Sequence, residues 1–270
     1  MTTFNIGAGA IGHTVQQIGP TIMLDDIGLT SAISTQNYGN FVSSSISSLI
    51  KTWITPKIPN ATTSCIVRGK NQYRIFFSDK TTLYVTLDGN KVAGIMPVVL
   101  PVSVECICSS ESATAGKEVI FFGSSNGYVY QMDSGTSFDG AVIEYFLNTG
   151  YDSLRAPHMV KRFRKLTFEA SGSGYTTMNF GYDIDSGSSE AVKFPEEPFS
   201  IGLNAATFDS GLFFDVPGFY FDGNSIVDIP LTIPGSGKNI SVSIKGSSAN
   251  SLPIKISGVQ VLYSPSRIIR

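Results

Sequence analysis

The first residues that could do chemistry lie at the amino end, in "FNIGAGAIG". Gly7, Gly9 and Gly12 reproduce the G-x-G-x-x-G spacing of a dinucleotide-binding loop. That loop works only where a helix N-terminus follows at once to receive the pyrophosphate, with an acidic residue about 20 positions on. Here His13 to Ile18 leave room for about one helical turn before Gly19-Pro20 ends it. Asp25 and Asp26 fall too early, in a turn-like "DDIG". The cofactor reading is set aside, and no cofactor is expected.

Other matches fail on their companions. Ser48-x-x-Lys51 has the letters of a serine acyl-enzyme motif without its S-D-N and K-T-G elements. Asp183-x-Asp185 resembles the start of a calcium loop whose later ligands are missing. The two histidines, His13 and His158, have no nucleophile motif near them. Cys65, Cys106 and Cys108 fit neither a disulfide framework nor a zinc site, and read as small buried thiols. The sequence therefore points to no catalytic residue and no metal.

What remains is surface chemistry. Lys161, Arg162, Arg164 and Lys165 form the one dense basic run. Strict strand alternation puts Arg162 and Arg164 with Leu166 and Phe168, and Lys161 and Lys165 with Phe163. The run could be a solvated strand end, a set of subunit salt bridges to acids such as Glu196 and Glu197, or a phosphate contact. The second candidate is the aromatic stretch holding Phe213, Phe214, Phe219 and Tyr220. It reads either as core or as a subunit contact.

The elements that must position these residues are strands. The chain has 270 residues, 27 Gly, 18 Phe and 11 Tyr, with a net charge of −2. That composition suits an all-β protein and offers no basic excess for gripping nucleic acid. Residues 1–60 carry only Asp25, Asp26, Lys51 and Lys57, so this segment is expected to be buried against another part of the chain or against another subunit. One helix is expected over residues 41–54, on Val42, Ile46, Leu49, Ile50 and Trp53, capped by Asn40 and stopped by Pro56.

Residues 61–140 hold an internal repeat. "YRIFFSDKTTLYVTLD" from Tyr73 aligns without a gap on "EVIFFGSSNGYVYQMD" from Glu118, 45 residues later. Upstream, "SCIV" at Ser64 matches "ECIC" at Glu105. Such units suggest partial β-propeller-like blades, in a number too small to close a ring alone. Residues 141–270 read as a β-sandwich or jelly-roll-like module, with clean alternation in "ISVSIK" from Ile240.

Several stretches resemble the tail nozzle proteins of short-tailed bacteriophages, which are related to packaged-DNA stabilisation proteins. They are "GYVYQMDSGTSFDG" at Gly127 to Gly140, the segment from Pro157 to Leu166, and the ending "SGVQVLYSPSRIIR". The amino-terminal "IGPTIMLDDIGLTSAI" is similar to that family's lead into its last propeller blades. The resemblance implies a structural virion protein without enzymatic activity. It implies a homo-oligomeric ring, generally a hexamer, whose channel retains and then ejects the genome. It also implies tail adaptor or portal-side partners, tail fibres or plug proteins, and DNA passing without sequence-specific binding. The chain is shorter than such proteins usually are and carries the later part of the propeller pattern. The rest of the propeller is then missing, supplied by a neighbouring gene product, or replaced by the helix near Trp53. A receptor- or carbohydrate-binding β module, using the aromatic loop from Phe213 to Tyr220, is the alternative.

Overall fold

The computed structural model describes residues 9–19, 21–31, 46–89, 91–111, 117–172, 175–185, 197–202, 225–248 and 254–268. The protein is all-β in the main. It divides into two compact units, Met1–Gly135 and Thr136–Arg270. The segments 1–60 and 61–140 thus contribute largely to one unit.

Among its described residues the first unit has three antiparallel sheets. One is built from β1 (Gln16–Gln17), β2 (Thr21–Leu24) and β3 (Leu29–Ser31). After Gly12 the chain makes a turn and enters β1, so no helix N-terminus follows the glycines. The "DDIG" turn is closed by Asp25, whose carboxylate accepts hydrogen bonds from the Ile27 and Gly28 N–H groups at 2.8 and 2.9 Å and from the Thr30 hydroxyl at 3.0 Å. The second sheet is a four-stranded meander of β4 (Ala61–Val67), β5 (Gln72–Phe77), β6 (Thr81–Asp88) and β7 (Lys91–Val99). The third comprises β8 (Cys106–Glu111), β9 (Glu118–Gly123) and β10 (Val129–Met132), in the order β10-β9-β8.

The middle sheet is covered on both faces. Tyr73, Ile75, Phe77, Leu83, Val85 and Leu87 pack against Ile22, Leu24 and Leu29 of the first sheet and against Ile54 and Ile58. Burial of each such side chain contributes roughly 1.5–3 kcal/mol. The opposite face carries Arg74 and Tyr84, which meet Met132 at the end of β10.

The helix differs from expectation. A 3₁₀ turn at Ser48–Ile50 leads into one α-turn, α1 (Lys51–Ile54), and a second 3₁₀ run at Thr55–Asn60 passes through Pro56. Proline is tolerated there because it lies at the start of a 3₁₀ segment, where its missing N–H is not needed. Leu49 points to solvent, while Ile46, Ile50 and Trp53 pack on the core. Asn40 and residues 41–45 lie outside the described residues.

The repeat is present in the architecture, with two corrections. Ser64 stands opposite Ile75, and Ser109 opposite Ile120, so the first two strands of each copy correspond at a constant 45 residues. Ser64 therefore matches Ser109, not Glu105. The third strands do not keep that spacing. Phe76 faces Thr82, but Phe121 faces Gln131 rather than Gly127, a shift of four residues. The hairpin "GSSNGY" is longer than its counterpart "SDK". Because four is even, the same side chains still point inward.

The second unit is a two-sheet sandwich. Its strands are β11 (Glu144–Asn148), β12 (Met159–Gly172), β13 (Tyr175–Ile184), β14 (Glu197–Gly202), β15 (Ser225–Gly237), β16 (Ile240–Ser247) and β17 (Ile254–Ile268). One sheet runs β11-β16-β13-β14 and the other β15-β12-β17. They share a core of Phe163, Leu166, Phe168 and Ala170 from β12, Met178, Phe180 and Tyr182 from β13, Ile233, and Ile240, Val242 and Ile244 from β16. Phe168 and Phe180 meet edge to face at 5.5 Å.

Tyr145 of β11 lies across Gly246 of β16, its partner in register. A Cβ at Gly246 would fall 2.2 Å from the tyrosine ring and hydroxyl. The Tyr145 hydroxyl is buried with no hydrogen-bond partner among the described residues. Gly246→Ala is expected to expel the ring and cost about 1–3 kcal/mol. Tyr145→Phe is expected to leave stability equal or about 1 kcal/mol higher, since it removes an unsatisfied polar group. Urea denaturation of the two variants measures both effects.

Candidate functional site

The most developed polar constellation of the first unit ties the two copies of the repeat together. It begins with a charge where the strand pattern wants an apolar residue. Arg74 stands in the apolar run "QYRIFF" of β5, on the face opposite Tyr73 and Ile75, and is 1% exposed. A guanidinium there must be fully paired to be tolerated. Its Nη1 and Nη2 donate to the two oxygens of Asp133 at 3.1 and 2.7 Å, a bidentate pair. Nε and Nη2 also donate to the Gln72 side-chain oxygen at 3.2 and 2.8 Å. The Tyr84 ring lies under the guanidinium, 4.1 Å from its carbon. Met132 supplies its sulfur at 3.1 Å from Nη1.

Asp133 follows β10 directly and adopts a left-handed conformation, φ 58°. That turn directs its carboxylate back to Arg74, and Lys70 adds a second cation at 2.8 Å. Burial pushes the carboxyl pKa up, but the hydrogen bonds and positive charge of Arg74 and Lys70 outweigh it and hold it below the ordinary aspartate value. The neighbouring Cys65 thiol is pushed up to about 12, chiefly by burial, with Arg74 opposing. It is a structural thiol, not a nucleophile.

Beside this clasp, β4 and β8 enclose a cleft of about 540 Å³, lined by Gln16, Ser64, Arg68, Ser109 and Glu118 among others. The Glu118 carboxylate accepts from the Ser109 hydroxyl at 2.6 Å and the Gly69 N–H at 3.0 Å. Burial raises its pKa, but these bonds, with that from the Arg68 backbone and the Arg68 charge, outweigh it and leave a net depression. Gln16 donates to the Ser64 carbonyl and hydroxyl, tying β1 to β4. The cleft is lined by two carboxylates, Glu111 and Glu118, of which Glu118 is held by these bonds.

The basic run of the second unit is split by the structure. Lys161 is fully buried, and its ammonium donates to the carbonyls of Ala156 (2.7 Å), Met159 (3.3 Å) and Lys238 (2.7 Å). Burial lowers its pKa, with the Asp152 carboxylate opposing. Arg162, Arg164 and Lys165 are exposed, and Arg164 donates to the Ser264 hydroxyl at 2.9 Å. The expected faces were out of phase. The β12 register shifts between Phe163 and Lys165, so a β-bulge inserts a residue and resets the alternation. Lys161 and Phe163 consequently share the core face with Leu166 and Phe168. Phe213, Phe214, Phe219 and Tyr220 lie outside the described residues.

The thiols also differ from expectation. Cys65 is buried, but Cys106 and Cys108 are exposed. Being two apart in β8, they share one face of the strand. Among the described residues no three His, Cys, Asp or Glu side chains converge as a metal site. No described helix is long and apolar enough to cross a membrane. No family model and no curated protein matches the chain.

Sequence reasoning missed the Arg74–Asp133 clasp. Its signal was present: a lone arginine inside an apolar strand, and an aspartate closing the second copy of the repeat. Asp133→Asn is expected to cost about 3 kcal/mol, the low end for breaking a buried pair because Asp133 keeps partial solvent access. The sign with pH follows from the depressed carboxyl. Its contribution is full above about pH 4, near the unfolded aspartate value, and is lost as pH falls through the lower folded value. Chemical denaturation from pH 7 to pH 2 should show this loss in the native chain. A drop of equal size in Asp133→Asn would refute the assignment.

Proposed function

We propose that this chain is a structural subunit of a bacteriophage tail nozzle or hub, a homo-oligomeric ring that lines the channel for genome retention and ejection. The observation that carries the reading is the pair of 45-residue sheet units, stacked and clasped to each other, followed by a two-sheet module. A succession of stacked blades joined to a sandwich is what the resemblance at Gly127–Gly140 and Pro157–Leu166 implies. The Gly127–Gly140 stretch includes β10 and Asp133, the residues that join one sheet to the next. The Pro157–Leu166 stretch includes the bulged start of β12 and the buried Lys161. Both are places where the backbone path is fixed by specific side chains, as suits a ring subunit that must hold its shape.

A mildly acidic chain also suits a DNA conduit, because a strongly basic lumen would bind the passing genome and slow it. On this reading Arg162, Arg164 and Lys165 are the part of the basic run free to meet a neighbouring subunit. The partners are further copies of the chain, a tail adaptor and plug or fibre proteins, in the virion.

The test compares two variants. Arg162→Glu/Lys165→Glu is expected to leave the fold intact, since both side chains are exposed, and to prevent incorporation into tail particles in a complementation assay. Lys161→Met is expected to act instead on stability, by about 2 kcal/mol or more, because three carbonyls lose their donor. A purified chain that stays monomeric and never joins a particle would sink the proposal.

A further inference from the structure

The second unit carries an aromatic ring on the wrong side of a strand. In β11, alternation turns Tyr145 and Leu147 to the side of the sheet that holds buried Ile244, and Glu144, Phe146 and Asn148 to the outer side. Phe146 is 59% exposed. Among the described outward positions of the sheet β11-β16-β13-β14 it is the one large apolar side chain, the others being polar, charged or glycine. The core does not need it, because Tyr145 already supplies the contact of this strand with the core.

Phe146 helps to line a cleft of about 790 Å³, within the span of roughly 300–1,000 Å³ usual for small-ligand sites. Register sets Phe146, Lys245 and Asn179 side by side across β11, β16 and β13, with Glu144 and Ser247 in the adjoining row. The Lys245 ammonium lies 5.4 Å from the Phe146 ring centroid, and the ring keeps its exposure with that cation in place. Glu144 and Asn179 are exposed, and their side chains make no hydrogen bond to the described residues. Elsewhere on this face the polar groups are committed: Asn148 accepts from the Ser241 hydroxyl at 3.0 Å.

That set of groups restricts the ligand. One carboxylate and one ammonium leave the cleft formally neutral, so it does not select a strong ion. An aromatic ring edged by a carboxylate and an amide suits a molecule that is apolar on one side and rich in hydroxyls at its rim. A pyranose has that form. Its axial C–H bonds stack on the negative face of an aromatic ring. Its hydroxyls donate to the Glu144 carboxylate and the Asn179 carbonyl, and accept from the Asn179 amide. A peptide strand added at the β11 edge would bond to backbone and has no use for this set of side chains. We propose that the cleft of β11, β16 and β13 binds a neutral pyranose stacked on Phe146. The site goes beyond the tail reading, does not rest on it, and uses none of the residues from Phe213 to Tyr220.

The experiment is saturation-transfer difference NMR on the full-length chain, with the methyl glycosides of glucose, galactose and N-acetylglucosamine at millimolar concentration. At least one sugar is expected to receive saturation, most strongly at its axial ring protons. Phe146→Leu keeps apolar area but removes the π face, and is expected to weaken that sugar's binding about tenfold. Phe146→Trp is expected to retain or strengthen it, and Asn179→Ala to weaken it. All three changes are at exposed positions, and urea denaturation checks that the fold survives. Incorporation of Phe146→Leu into tail particles is expected to match that of the native chain, so this proposal and the tail reading fail separately. Transfer to none of the three sugars, or transfer undiminished in Phe146→Leu, would overturn the assignment. So would loss of incorporation in Phe146→Leu with the sugar signal intact, which would make the ring a subunit contact.

Discussion

A single buried cation governs how the first unit is put together. Arg74 sits where β5 should carry another Ile or Phe, and in hydrocarbon surroundings its charge would be costly. It is tolerated because Asp133, Gln72, Tyr84 and Met132 converge on it. Two of these come from the second copy of the repeat. The apolar faces of the sheets would bind each other in several relative positions, since hydrophobic attraction has little direction. The bidentate pair admits one. It thereby sets the offset between sheets, which then fixes where the polar cleft between β4 and β8 opens.

The second unit solves a similar problem with neutral acceptors. Lys161 is drawn inside by a change of phase in β12, and three carbonyls from two separate stretches of chain surround its ammonium. The β-bulge that causes this also leaves Arg164 and Lys165 both facing outward. One irregular step in the backbone thus divides a uniform-looking run of four cations into a structural one and three available ones.

Much of the fold was legible. Alternation in "ISVSIK" gave β16 and its buried Ile240, Val242 and Ile244, and the 45-residue self-similarity gave the paired sheets. Local signals failed where a long-range term decided. The α-helix near Trp53 does end at Ile54, ahead of Pro56, but among the described residues only Lys51–Ile54 is α-helical, with tighter 3₁₀ runs on either side. The faces of β12 were misassigned because a bulge has no fixed letter code. The exposure of Cys106 and Cys108 depends on how the described sheets stack, which no property of the cysteines announces. Of the candidate interface residues, Arg162, Arg164 and Lys165 kept the accessibility their types suggest, and Lys161 lost it.

The four-residue lengthening of the β9–β10 hairpin has a consequence for how two similar units differ. In the first copy the strand after the hairpin runs on through Tyr84 to Asp88 and pairs with a fourth strand. In the second, the extra residues are spent in the turn, β10 ends after Met132, and the position in register with Tyr84 is taken by Asp133. An insertion in a solvent-facing turn, which costs little in itself, thus exchanges a ring that supports a cation for the carboxylate that neutralises it. Two similar segments thus serve as a socket and its plug.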